Sequence, residues 1–122
     1  MSRASAAFAR SVVRLEEALR EPSTPIVRDA CIQRFEFCFE LAWKAIQESL
    51  RSEGRECTSP RSCFREAFKQ GWIESEEAWT RLLADRNLTS HTYDEALAEA
   101  VYGRLESHRM LLASLRERLP SE

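Results

Sequence analysis

Arg86 and His91 stand five residues apart, with Tyr93 two residues further on. A guanidinium and an imidazole together suit metal-independent cleavage of RNA. The imidazole can take the proton of a 2′-hydroxyl, or protonate the leaving oxygen, near neutral pH. The guanidinium can hold the phosphate as negative charge builds on it. The bare spacing carries little weight. The 18 basic residues less Lys44 and Lys69 leave 16 arginines for two histidines, and such a pair arises by chance in about one sequence in four of this composition. On a continuous helix, residues five apart diverge by about 140°, so the two converge only where the chain bends. The polar, poorly helical run from Thr89 to Thr92, ahead of Asp94, is where that bend is expected.

Arg86 has an unusual place on its own helix. Trp79, Leu82 and Leu83 mark the apolar face, and Arg86 falls between Leu82 and Trp79 rather than toward solvent. An arginine there either binds a carboxylate at the edge of the core or faces a cleft that accepts a phosphate. Glu36, Glu40 and Lys44 stack at four-residue steps on another helix. Glu40 and Lys44 have the favourable orientation for an intrahelical pair, although these groups could instead bridge to Arg86 or meet a partner. Arg61, Arg65 and Lys69 form a basic stripe that is either a solvated face or a secondary RNA contact. His108 shares a face with Leu97, Val101, Leu105, Leu112 and Leu115, and reads as a core or interface histidine.

Helices must position these groups. Phe8, Val12, Leu15 and Leu19 recur at helical spacing and Pro22 follows, which predicts a first helix over about residues 3 to 21. Thr24 and Pro25 are an N-cap and first-turn proline, opening a long second helix that nothing interrupts until Gly54. Ser59 and Pro60 repeat the signal for a short third helix, closed by Gly71. Ser75 caps a fourth, and Asp94 with Glu95 starts a fifth that lasts to about Leu119. The second helix has a narrow polar stripe and is apolar over most of the rest, so it needs cover on more than one side. Phe37 projects within the polar stripe. Either it lies on the stems of its charged neighbours, or it marks a homodimer or partner surface, to which the apolar width of the helix also points.

Composition bounds the rest. A chain of 122 residues with 43% apolar content fits one domain with one core. Few glycines and many Ala, Leu, Glu and Arg favour an all-α fold. A net charge of −2 gives no bulk attraction to nucleic acid or anionic membrane, so phosphate contacts must come from local clusters. Arg10 and Arg14 interrupt the start, no later segment approaches the length of a membrane span, and a cytoplasmic protein is expected. Cys31 and Cys38 are two helical turns apart and cannot bridge. Cys57 and Cys63 lack zinc-site spacing. Four reduced, mostly buried thiols are the expectation, with no metal and no cofactor.

Three stretches carry a resemblance: IQRFEFCFELAWKAIQESLRSEG from Ile32 to Gly54, SPRSCFREAFKQGWI from Ser59 to Ile73, and DRNLTSHTYDE from Asp85 to Glu95. In order and with plausible gaps, they resemble the nucleotidyltransferase substrate-binding protein family, a branch of the HEPN superfamily, over the middle half of the chain and more. The resemblance implies a single HEPN-like domain over residues 1–122 with an antiparallel four-helix-bundle core and an additional short helix. It also implies a homodimer and a separately encoded minimal nucleotidyltransferase as partner. In related HEPN toxins of toxin–antitoxin pairs, the R-x₄-H-x-Y motif forms a ribonuclease site at the dimer interface. The nucleotidyltransferase silences it by adding AMP to the motif tyrosine. Carried over by position, Arg86 is then the phosphate stabiliser, His91 the acid/base and Tyr93 the modified residue, with Asn87 following the arginine as is common in the motif. The alternative is a non-catalytic subunit that presents a substrate or nucleotide to the same enzyme, with Arg86, His91 and the polar stripe of Glu36, Glu40 and Lys44 lining the pocket.

Overall fold

The computed structural model describes residues 2–120; Met1, Ser121 and Glu122, which the single-domain expectation includes, lie outside the described residues. Among the described residues five α-helices follow in order: α1 (Arg3–Arg20), α2 (Pro25–Arg51), α3 (Pro60–Lys69), α4 (Glu76–Leu88) and α5 (Glu95–Arg118). A 3₁₀ turn, Thr89–His91, continues α4. The starts are set by local side-chain caps. Thr24 accepts from the Val27 amide at 3.0 Å, Ser75 from Ala78 at 3.0 Å, and Asp94 from Leu97 at 3.1 Å. Ser59 and Ser62 cap each other reciprocally. Gly54 and Gly71 take positive φ of 77° and 80°. Each closes a Schellman pair, with Arg55 N–H donating to Leu50 O and Trp72 N–H to Ala67 O, both at 2.9 Å.

The short link between α1 and α2 makes them antiparallel neighbours, and α5 packs against both. The bundle core is built from Phe8, Val12 and Leu15 of α1, Phe35, Phe39 and Ile46 of α2, Trp79 and Leu82 of α4, and Val101, Leu105, Leu112 and Leu115 of α5. Short α3 is the additional helix. Its Phe64 meets the ring of Phe39 edge-on at 5.8 Å and that of Trp79 at 4.9 Å, joining α2 to α4.

Two expectations are corrected here. The apolar width of α2 needs no second protein, because α2 is the central helix and touches α1, α3, α4, α5 and the 3₁₀ turn. Ile32, Phe35, Phe39, Ala42, Ile46 and Leu50 are all buried by the chain's own helices. Among the large apolar side chains of α2, Ile26 in the first turn, 83% exposed, and Phe37 at mid-helix, 57% exposed, are left without cover. Second, Cys57 and Cys63 form a disulfide, with Cα atoms 5.0 Å apart. Cys57 precedes the Ser59 cap and Cys63 lies in the first turn of α3, so the change of direction at the cap folds one cysteine back on the other. Cys31 and Cys38 are free and buried as expected, and burial pushes the Cys38 thiol up to about 12.

Candidate functional site

Arg86 lies in the last turn of α4, and its side chain is 35% exposed. Its Nη2 donates to Glu40 Oε1 on α2, and the other oxygen of Glu40 accepts from Trp43 Nε1 at 3.1 Å. Nη1 donates to Asn87 Oδ1 at 3.3 Å. The guanidinium carbon lies 5.1 Å from the centroid of the Phe39 ring, a cation–π contact at the edge of the core. Of the two partners open to Glu40, Arg86 is the one it takes. The intrahelical Glu40–Lys44 pair is not made, and among the described residues Lys44 is exposed with no carboxylate partner. A pair across the helices here also draws on the Trp43 indole, which an exposed lysine one turn away would not.

The bend between Arg86 and His91 takes the form of the 3₁₀ turn. Thr89 Oγ1 donates to Arg86 O at 2.7 Å, Ser90 Oγ to Asn87 O at 3.4 Å, and Thr92 Oγ1 to Thr89 O at 3.1 Å. Short polar side chains thereby occupy the carbonyls that a continuing helix would have used. Asp94 N–H then bonds His91 O at 3.1 Å and Asp94 caps α5. His91 is exposed and Tyr93 is 84% exposed. Their rings meet edge-on with centroids 6.1 Å apart. No hydrogen bond joins Arg86 to His91 among the described residues. The motif therefore presents a half-buried cation already paired, and beyond it an imidazole and a phenol open to solvent.

Two grooves flank the exposed stripe of α2. One, of about 440 Å³, is lined by Asp29, Ala30, Ile32, Gln33, Glu36 and Thr92, and brings Glu36 beside the motif turn. The other, of about 490 Å³, lies between α1 and α2 and includes Arg10, Arg14, Gln33, Arg34, Phe37 and Leu41. Gln33 belongs to both. Arg61 and Arg65 are exposed on α3, while Lys69 of the same stripe pairs with Glu66 at 3.3 Å. No cluster of three or more His, Cys, Asp or Glu suited to a metal ion occurs among the described residues.

Two ion-pair clusters at the ends of the motif, built around the buried Asp85 and the buried Arg28, were not picked out from the sequence. Asp85, 5% exposed, accepts from Arg104 Nε and Nη2 at 2.8 Å each and meets His108 Nε2 at 2.7 Å. Burial pushes its carboxyl up, but the hydrogen bonds from Arg104 and His108 outweigh this and hold it below its ordinary value. Arg28, 3% exposed, reaches Glu95 at 2.7 Å, Glu99 at 3.0 Å and Asp29 at 3.0 Å. Glu95, two residues after Tyr93, is held below its ordinary value by Arg28. Asp85 falls only about 60° from Leu82 on the helical wheel, a faint signal of burial. Its partners lie 19 and 23 residues away, where spacing says nothing. His108 is the core histidine that its apolar neighbours predicted.

A curated relative from Haemophilus influenzae, named "Probable ribonuclease HepT", is 33% identical over 96 residues. The match covers 71% of this chain and 66% of the relative, just under two thirds of its length. A crystal structure from Thermus thermophilus superposes with a TM-score of 0.86 at 38% identity, over 93% of this chain and 99% of that one. A second structure, from Haemophilus influenzae, is described as revealing the fold of a substrate binding domain of a nucleotidyltransferase. It matches with a TM-score of 0.72 at 27% identity, over 95% of this chain and 93% of that one. No helix among the described residues is long and apolar enough to cross a membrane. Residues 3–121 match the family described as nucleotidyltransferase substrate binding protein like, and with nearly the whole chain and its all-helical fold included, the chain belongs to that family.

Proposed function

We propose that this chain is a single-domain HEPN-type partner of a separately encoded minimal nucleotidyltransferase, and that as a homodimer it cleaves RNA without a metal ion. The observation that carries this reading is the exposure of His91, at the end of the 3₁₀ turn, and of Tyr93 just after it, with Arg86 half-exposed in the last turn of α4 before them. His91 takes the proton of a 2′-hydroxyl, whose oxygen attacks the adjacent phosphorus. Arg86 exchanges Glu40 for the phosphate and steadies the charge that builds there. The bond to the 5′ oxygen breaks, a second imidazolium from the other copy returns a proton to it, and a 2′,3′-cyclic phosphate and a 5′-hydroxyl result.

Tyr93 suits control by the partner. Its hydroxyl attacks the α-phosphorus of ATP held by the nucleotidyltransferase, and pyrophosphate leaves. The AMP so attached adds a bulky anion beside His91, whose ring centroid is 6.1 Å from that of Tyr93, and competes for Arg86. The dimer is supported by the face of α2. Phe37 is exposed in the wall of a basic groove (Arg10, Arg14, Arg34) that adjoins an acidic one (Asp29, Glu36) at Gln33, a self-complementary pattern that an isologous interface can pair.

A non-catalytic binding subunit is the second reading. It is favoured by the Glu40 carboxylate already on Arg86, and by the description of the Haemophilus influenzae structure as a substrate binding domain. One experiment separates the two. Wild type and His91→Ala are incubated with a mixed RNA pool in EDTA, with helicity and assembly checked for both. Cleavage by the wild type alone, leaving cyclic phosphate ends, supports the nuclease. Intact RNA with both well-folded proteins refutes it and leaves the binding subunit.

A further inference from the structure

We propose that Asp85 is a positioning residue for Arg86, acting through Arg104 and His108 of α5; this rests on the assignment of Arg86 as the phosphate-holding group. The buried residues of α4 are Trp79, Leu82 and Asp85, a row at three-residue steps. In the last turn before Arg86 the place of the third apolar residue is thus taken by a carboxylate. An apolar residue there would bury surface without selecting one rotation of the helix. Asp85 does select one, because both of its oxygens are bonded by planar donors of fixed direction. The Arg104 fork holds Oδ2 and Oδ1 at 2.8 Å each, and His108 Nε2 holds Oδ2 at 2.7 Å.

The clamp reaches beyond α5. The His108 ring, with its side chain only 7% exposed, stacks on Phe35 of α2 at a centroid distance of 5.5 Å. Its Nδ1 is buried and has no hydrogen-bond partner among the described residues, so Asp85 and the stack on Phe35 are what orient the ring. Phe35 lies on the helix that also carries Glu40 and Phe39, the two groups against the Arg86 guanidinium. Asp85 and Arg86 are consecutive residues referred to the same helix, one through His108 and one directly. Turning α4 enough to break the Arg104 fork would lift Arg86 from Glu40 and Phe39 together. A salt bridge to a buried carboxylate is weak evidence for stability, so the cluster is assigned to register.

Asp85→Asn keeps the shape and removes the charge, and Arg104→Ala removes the fork from a side chain that is 48% exposed and leaves the buried residues unchanged. Two measurements are made on each variant. In RNA cleavage, Asp85→Asn is expected to lower kcat about 10-fold, but less than about 2-fold when Arg86 is already Ala, since a misplaced group and an absent one are equivalent. Equal losses in both backgrounds overturn the proposal, because a merely structural role acts whether or not Arg86 is present. In amide hydrogen exchange, residues 86–93 are expected to exchange about 10-fold faster in the variant while α1 is unchanged. Unchanged protection of residues 86–93 also overturns it. The exchange result stands when no RNA is cleaved by the wild type, an outcome that rejects the nuclease reading separately. Where Asp85→Asn does not fold, Arg104→Ala decides by the same two measurements.

Discussion

On the proposed reading, in which Arg86 takes a phosphate, replacing Glu40 with Gln removes the competing negative charge while keeping an acceptor for Trp43 Nε1. Glu40 and Arg86 are 33% and 35% exposed, so water screens the pair and its worth is that of a surface ion pair, about 0.2–1 kcal/mol. With the single Gln oxygen turned to the indole, the amide NH2 faces Arg86 and cannot accept from it, so the stability cost should be about 1 kcal/mol, one hydrogen bond between half-exposed groups. The same energy no longer has to be given up when a phosphate takes the guanidinium. Converted at about 1.4 kcal/mol per tenfold, RNA binding should tighten up to about 5-fold. The assay is steady-state cleavage of a defined oligoribonucleotide, with binding to its 2′-deoxy form measured separately and thermal unfolding as the control. The expected pattern is a lower KM and a tighter Kd for the deoxy analogue, with Tm within a few degrees of wild type. Weaker binding together with a kcat loss above about 10-fold would refute the reasoning, because Glu40 would then be orienting Arg86 rather than occupying it.

Asp85 should give the chain part of its acid sensitivity. Its folded-state carboxyl is held below the ordinary value, so its contribution is fully present above the unfolded value of about 3.9 and is lost as pH falls through the folded one. Denaturant unfolding from pH 6 downward should show a shallower acid limb in Asp85→Asn, and identical slopes in the two proteins would contradict the assignment. Reducing the Cys57–Cys63 bond, which spans six residues, should lower the unfolding free energy by about 2 kcal/mol on loop entropy; a titration finding four free thiols in protein prepared without reductant would show that the pair is open in solution. Phe37→Asp should convert the proposed dimer to monomer without loss of helicity, since Phe37 is 57% exposed within one chain. Sedimentation shows whether it does, and an unaltered dimer would place the interface elsewhere.

The helices were legible in the sequence because their ends are local. Thr24, Ser59, Ser75 and Asp94 each cap through a bond spanning three residues, so the cap and its acceptor are read together. The starts fall where those residues predicted and the ends within a few positions. The same holds for the 3₁₀ turn, since the Thr89–Thr92 run supplies its own bonds. Tertiary structure decided the partners. Glu40 had two candidates, Lys44 one turn away and Arg86 on another helix, and no local rule ranks them. Asp85 with His108 and Arg28 with Glu95 join residues 23 and 67 apart. The apolar width of α2 could equally have meant a second protein, until four other helices proved to cover it. A cap or a turn needs only the dihedrals of neighbouring residues, whereas a cross-helix ion pair exists only once the rotation and register of both helices are set by the packing of the whole core.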